Sequence, residues 1–312
     1  MHVIQPQVDC SSAQEFLDAL SPLGSYFREV GLSEPWLFRG QGQDVPLIPS
    51  AFRTDEKSDK LTTLTKRDLR KFEERVLAER DVLIRFFNIA DKRGLILPDD
   101  SQQLRAKLAT LMSDWGDIPP SDWGERLERA TMALSIMALA QHYGIPTRLL
   151  DWTRQALSAA FFAAEDALKH DEYDSASRLV VWAFYFPQLG RRTELQQLTD
   201  PVLVVTAPSA TNPNLKAQQG VFTLLHPHYT KEAEGQYLPF EQVLAGLAEE
   251  ADPKHSDADK LIVGCRLQKF TLHVSEAKAL LHLLAKLDIT SSSIYPGYGS
   301  IVRDIRMETL WP

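Results

Sequence analysis

The sequence predicts an α+β chain, and three observations carry the prediction. Apolar residues recur at helical spacing from about Leu64 to Ile89, in a stretch rich in Leu, Lys, Arg and Glu. Beyond Pro146 the pattern changes to short β-branched and aromatic runs of strand length. One strand-like run, Trp36 to Arg39, comes before the helical part and has to join the later sheet. No hinge composition separates independent units, so residues 1–312 are expected to form one domain. Within it, 61–143 reads as a helical insertion and 144–312 as a strand-rich core.

The elements follow in order. Ser12 and Glu15 have capping-box spacing at the head of a helix near Ser12 to Leu20. The strand Trp36 to Arg39 leads into a Gly/Pro-rich loop through Pro49. After the long helical stretch, two more helices are expected, Ser101 to Trp115 and Trp123 to Tyr143. Gly144 closes the last as a C-cap and Pro146 blocks its continuation. Arg148 to Trp152 reads as a strand or tight turn, and the apolar run ALSAAFFAAEDALKH as a buried helix from Ala156 to His170. Strands are expected at Leu179 to Phe186, Val202 to Thr206, Val221 to Leu225 and Leu261 to Leu267. A helix from Ser275 to Leu287 closes the regular part.

A hydrophobic fraction of 44% and a charged fraction of 24% describe an ordinary globular protein. No run reaches the roughly 18 apolar residues of a membrane span. The start, MHVIQPQVDCSS, shows no basic stretch followed by an apolar core, so no secretory signal is expected. Cys10 and Cys265 are too few for a disulfide framework or a cysteine zinc site. A reduced cytoplasm fits best. The net charge of -8 argues against a module dedicated to duplex DNA, where phosphate neutralisation supplies most of the affinity.

The common short signatures are missing: there is no P-loop, no H-E-x-x-H and no G-x-S-x-G. Gly40-Gln41-Gly42 lacks a third glycine and leads to Pro46 rather than to a helix. His226 and His228 flank Pro227, a pair too small for a metal site. Three stretches stand out instead. In WLFRGQ an arginine follows an apolar strand and precedes a glycine, a setting suited either to a ligand anion or to an internal ion pair. In AQHYGIPTRLLDWT, His142, Thr147, Arg148, Asp151 and Thr153 crowd around a forced helix stop. There Arg148 and Asp151 either form a buried pair or face a ligand. In KAQQGVFTLL two glutamines precede Gly220 and a strand, where their amides can bond a ligand amide or ribose hydroxyl, or simply shape a turn.

Together these stretches resemble the FRG domain, a bacterial family named for a Phe-Arg-Gly motif. Phe38-Arg39-Gly40 followed by Gln41 looks like that motif, and His142 to Thr153 is similar to the family's second block nearly residue for residue. Gln218-Gln219-Gly220-Val221-Phe222 resembles the third block, and Ile294-Tyr295-Pro296 a closing element. The resemblance runs from about Trp36 to Arg303. Leu215 and Lys216 stand where the family often has an arginine, and Gly297-Tyr298-Gly299 where it usually has an acidic residue.

A fainter resemblance points to mono-ADP-ribosyltransferases of the arginine type, whose first core strand ends in an aromatic-Arg-Gly triplet. It implies an ADP-ribosyltransferase-like split mixed β-sheet with a large helical insertion after the first core strand. It also implies NAD as substrate and no metal. Arg39 would grip the diphosphate, with Gly40, Gln41, Thr147, Arg148 and Gly220 also in the binding site. Asp151, Gln219 and His142 are the candidates for chemistry, with Glu165 a further carboxylate. No clear Ser-Thr-Ser strand or Glu-x-Glu turn, the other marks of that class, is found. The expected role is a toxin or antiphage effector that modifies RNA, DNA or protein and is held silent by an antitoxin-like or chaperone partner. The alternatives are a nucleotide-binding or phage-sensing module without turnover, and a metal-independent nuclease using His142 and Asp151.

Overall fold

A computed structural model describes residues 3–27, 36–54, 60–102, 104–106, 131–169, 174–187, 201–205, 217–225, 237–254 and 257–309. These form a mixed α and β structure around a seven-stranded mixed sheet. The strands are β1 (Val8–Cys10), β2 (Trp36–Gln41), β3 (Leu150–Thr153), β4 (Arg178–Tyr185), β5 (Val202–Val205), β6 (Gly220–Leu225) and β7 (Arg266–His273). Their order across the sheet is β1-β7-β4-β2-β3-β6-β5. β1 runs parallel to β7, and all other neighbours are antiparallel. The helices are α1 (Ala13–Ala19), α2 (Phe72–Lys92), α3 (Thr131–His142), α4 (Ala156–Ala167), α5 (Phe240–Glu250), α6 (Asp257–Gly264), α7 (Ala277–Lys286), α8 (Ser291–Ile294) and α9 (Tyr298–Glu308).

The central strand β4 explains the layering. Its sequence RLVVWAFY is apolar almost throughout because both of its faces are covered. Leu179, Val181 and Ala183 join one core with residues of α1, α4 and α7. Val180, Trp182 and Phe184 join the opposite core with residues of α5 and α6. A third cluster sets Met137 and Ala138 of α3 against Phe222 and Leu224 of β6.

β2 lies unusually close to α4. A Cβ on Gly40 would sit 1.9 Å from the Ala159 carbonyl oxygen, and one on Gly42 would sit 2.4 Å from the Ala167 backbone nitrogen. The small side chains of Ala159, Ala163 and Ala167 let the helix backbone approach, and the glycines complete the contact. Gly40→Ala is therefore expected to cost about 1–3 kcal/mol or more, as overpacking in a well-filled core does. Denaturant unfolding checks this, and unchanged stability would mean that β2 does not rest on the helix.

The expected cap of α3 forms as read. Gly144 adopts a left-handed φ of +88°. Its N–H donates to Gln141 O (2.9 Å), and the Ile145 N–H donates to Ala140 O (3.0 Å), the paired bonds of a Schellman stop. At the other end of the chain Ser12 caps α1 by accepting from the Glu15 N–H (3.2 Å), while Glu15 reaches back to the Ser11 N–H (2.8 Å).

Several boundaries differ from expectation. Leu261 to Leu267 is not a strand: Leu261 and Ile262 belong to α6, and β7 begins only at Arg266. Leu261, Ile262 and Cys265 are buried at helical spacing in one core, a period that a short apolar run disguises. The long first helix starts later than the composition suggests, at Phe72, after a 3-10 turn at Leu61–Leu64. The regular structure continues past Leu287 through α8 and α9. Most of the expected helix Ser101 to Trp115 and the first part of Trp123 to Tyr143 lie outside the described residues, as do Leu215, Lys216, His226 and His228. Among the described residues no helix is long and apolar enough to cross a membrane.

Candidate functional site

β2 pairs with β4 along its whole length and β3 pairs with β6, but β2 and β3 meet at one register pair, Phe38 with Thr153. Helices α2 and α3 fall between these two strands in sequence. Where the β2–β3 ladder stops, the Arg39 side chain takes over. Its Nη1 donates to the Asp151 carbonyl oxygen (2.9 Å) and to Asp151 Oδ1 (2.5 Å). A cleft of about 680 Å³ opens over this junction, walled by β2, β3, the end of α3, α4 and the segment at Tyr295. That size lies within the usual range of small-molecule sites, about 300–1,000 Å³.

Arg39 is 8% exposed, and its Nε is buried with no hydrogen-bond partner among the described residues. A buried guanidinium normally uses its donors; Arg39 lines the cleft as a residue, while its Nε lies buried away from it. Asp151 is the counterpart. Its side chain is 63% exposed because it reaches into the open cleft. The enclosing walls push its carboxyl upward, but the adjacent Arg39 guanidinium outweighs them and holds it below the usual carboxylate range. The sign of the linkage follows: the Asp151 contribution to stability is present above its unfolded value, about 3.9, and is lost as pH falls through the lower folded value. Asp151→Asn is expected to flatten the acid limb of the stability–pH curve, measured by denaturant unfolding at a series of pH values. An unchanged limb would mean that the pair contributes nothing.

His142 is the last residue of α3 and lines the cleft half-buried. Burial lowers its pKa, which leaves a neutral imidazole at neutral pH. Gly40 and Gly220 line the cleft as well, and so does Glu165 of α4. The Tyr295 hydroxyl donates to Glu165 Oε2 (3.2 Å), and Arg303 of α9 approaches Glu165 Oε1 at 3.7 Å. Burial, and then the Glu165 charge, raise the Tyr295 phenol above its ordinary value, so it remains a proton donor.

The other candidates support the cleft from behind. Gln41 is buried, and its Oε1 accepts from Trp182 Nε1 (3.0 Å). Thr147 is fully buried; its hydroxyl donates to Gln141 Oε1 and accepts from the Leu149 N–H. Arg148 pairs not with Asp151 but with Glu79 of α2, which is 0% exposed. Nε of Arg148 donates to Glu79 Oε2 (2.7 Å) and its backbone N–H to Oε1 (2.6 Å). This buried pair locks α2 onto the entrance to β3. Gln219 is exposed at a left-handed turn with φ 46° and does not line the cleft. Its neighbour Gln218 does, held by Thr153 Oγ1 donating to its carbonyl oxygen (2.6 Å).

Gln218 was read, with Gln219, as an amide able to bond a ligand but was not singled out, and Tyr295 was visible only as part of a closing motif. A turn residue ahead of a strand cannot be assigned to a side until the turn geometry is known. Arg53, Lys60 and Phe162, also on the cleft wall, carried no sequence signal. Among the described residues no group of three or more His, Cys, Asp or Glu gathers as a metal site would require.

A cleft at a break in a mixed sheet, with a buried arginine beside it, is the candidate ligand site. Comparison with known families is consistent with the sequence motifs: residues 96–172 match the FRG domain. The match contains the His142 to Thr153 block and Glu165, while Arg39, Gln218 and Tyr295 lie outside it. No curated protein and no solved structure matches the chain.

Proposed function

We propose that the cleft binds NAD and that the chain is an ADP-ribosyltransferase. The observation that carries this reading is the arginine at the sheet break: a buried guanidinium on the wall of a cleft that also holds three carboxylates and aromatic walls. Arg39 would take the diphosphate by a charge-assisted fork, the geometry guanidinium suits best. The single pairing of β2 with β3 and the helices inserted between them agree with the split sheet of that enzyme class.

The reaction breaks the bond between ribose C1′ and the nicotinamide nitrogen, whose electron pair leaves with neutral nicotinamide. A target nucleophile then bonds to C1′ and gives up its proton. Asp151 and Glu165 are the carboxylates placed to face the positive ribose and to take that proton. His142, neutral here, is the other base in the cleft. Gln218, rather than Gln219, is placed to bond the amide or the ribose. The target would be RNA, DNA or protein, and a toxin or antiphage effector of this kind, acting in the cytoplasm, would need an antitoxin-like or chaperone partner.

A second reading, a nucleotide-binding or sensing module without turnover, has one observation in its favour. Arg39 is already neutralised by Asp151 at 2.5 Å. Incubation with radiolabelled NAD and cell extract, followed by separation of RNA, DNA and protein, distinguishes the two. Label in one fraction together with released nicotinamide is the expected result. Saturable NAD binding with no label and no nicotinamide would assign the module reading instead.

A further inference from the structure

Asp151 is bound twice by one nitrogen of Arg39, and the two bonds are not equivalent. Nη1 donates to the Asp151 carbonyl oxygen (2.9 Å) and to its carboxylate Oδ1 (2.5 Å). The first bond belongs to the strand backbone and holds the guanidinium whatever the carboxylate does. The second joins a fixed partner to a loose one, for the Arg39 side chain is 9% exposed and the Asp151 side chain 63%.

Oδ1 has a second donor. Gln141 Nε2, from the last turn of α3, reaches it at 3.3 Å. The orientation of that amide is set from behind, because Gln141 Oε1 accepts from the hydroxyl of the fully buried Thr147. The Thr147 oxygen in turn accepts from the Leu149 N–H (3.2 Å). Two oriented donors therefore converge on one oxygen, and Arg39, Gln141 and Asp151 all line the cleft. Arg53, on the same cleft, adds positive charge around the carboxylate. This is the donor set of an anion subsite, with a side chain of the protein as its occupant.

We infer that the Asp151 carboxylate stands in for a ligand anion, and that Oδ1 yields its place between Arg39 and Gln141 to a phosphate oxygen. The inference rests on the diphosphate reading of the cleft. It adds Gln141 as a binding residue and a resting state in which the site is filled from within. Charge decides which ligands open it. A neutral ligand would leave the buried Arg39 uncompensated, whereas an anion exchanges one negative group for another. The displaced carboxylate rehydrates in the open cleft. Freed from the guanidinium that holds its pKa down, it becomes a stronger base beside the bound ligand.

Calorimetry of the full chain with inorganic pyrophosphate tests this. Asp151→Asn should bind pyrophosphate roughly fivefold more tightly than the wild type, since no internal ion pair has to be given up. That gain should persist in high salt. Asp166→Asn is the control: it removes a cleft carboxylate that bonds the Gly42 N–H and pairs with Lys169, so its effect acts through space and salt screens it. Adding Gln141→Leu to Asp151→Asn should weaken pyrophosphate roughly fivefold, the worth of one ordinary hydrogen bond. Equal or weaker binding by a folded Asp151→Asn overturns the inference, as does a gain in high salt no larger than that of Asp166→Asn. No binding at millimolar pyrophosphate in either the wild type or Asp151→Asn overturns it too. If Asp151→Asn does not fold, the wild type decides: saturating pyrophosphate should raise the pH at which the Asp151 carboxyl carbon titrates by NMR, and an unmoved titration overturns the inference. Transfer from NAD with no pyrophosphate gain in Asp151→Asn would sink this inference and spare the transferase reading. The expected pyrophosphate results without NAD turnover would do the reverse.

Discussion

Replacing Arg39 by lysine is expected to weaken NAD binding roughly ten- to a hundredfold, the equivalent of one lost charge-assisted hydrogen bond at about 1.5–3 kcal/mol. Turnover should fall at least as far. A lysine keeps the charge and can still reach Asp151, so the fold should survive. It cannot fork onto two phosphate oxygens. Calorimetry with NAD and the labelling assay read the loss, and a melting curve confirms folding. Unchanged affinity and labelling in a folded Arg39→Lys would remove the diphosphate from Arg39 and leave it as a clip between two strands. That outcome would count against the transferase reading as a whole.

The largest stability effect is expected from Glu79→Gln. Glu79 is 0% exposed and holds both the backbone N–H and the guanidinium of Arg148. The amide keeps the shape and can accept one bond, but it leaves the Arg148 charge buried without its carboxylate. Breaking a buried pair from one side costs about 3–5 kcal/mol. Replacing both residues with apolar ones of similar volume should recover much of that, because no charge then remains to be compensated. Denaturant unfolding of the two variants measures the difference. If Glu79→Gln keeps full stability but loses NAD binding, Arg148 belongs to the ligand site and not to the scaffold.

That assignment shows where sequence reasoning succeeds and where it stops. The cap at Gly144 and the cap at Ser12 were legible because each depends on a few adjacent residues and on backbone geometry that glycine or serine dictates. The strands from Leu179 and Val221 were legible because buried strands are continuously apolar. Arg39, Gly40, His142, Asp151 and Gly220 were also found as a group, and the structure brings all five to one cleft.

Partners were not legible. Arg148 and Asp151 sit three residues apart, and Arg39 lies far from both in sequence. Only the sheet order and the packing of α2 decide that Asp151 meets Arg39 while Arg148 meets Glu79. The choice between Gln218 and Gln219 turned on one left-handed residue, which no local pattern announces. The misplaced strand at Leu261 came from the same cause: four apolar residues fit either period until the core that buries them is known.

The single register pair between β2 and β3 gives the cleft a property that an unbroken sheet would not have. In a continuous ladder, backbone bonds at fixed spacing set how far apart two strands stand. Here that separation rests on one residue pair and one guanidinium. The group proposed to recognise an anion is therefore the same group that bridges β2 and β3. A ligand that claims Arg39 leaves Phe38 and Thr153 as the register pair between the four-strand and three-strand parts, which the core packed across both parts still holds together, so occupancy of the site and the spacing of β2 from β3 are coupled through one side chain.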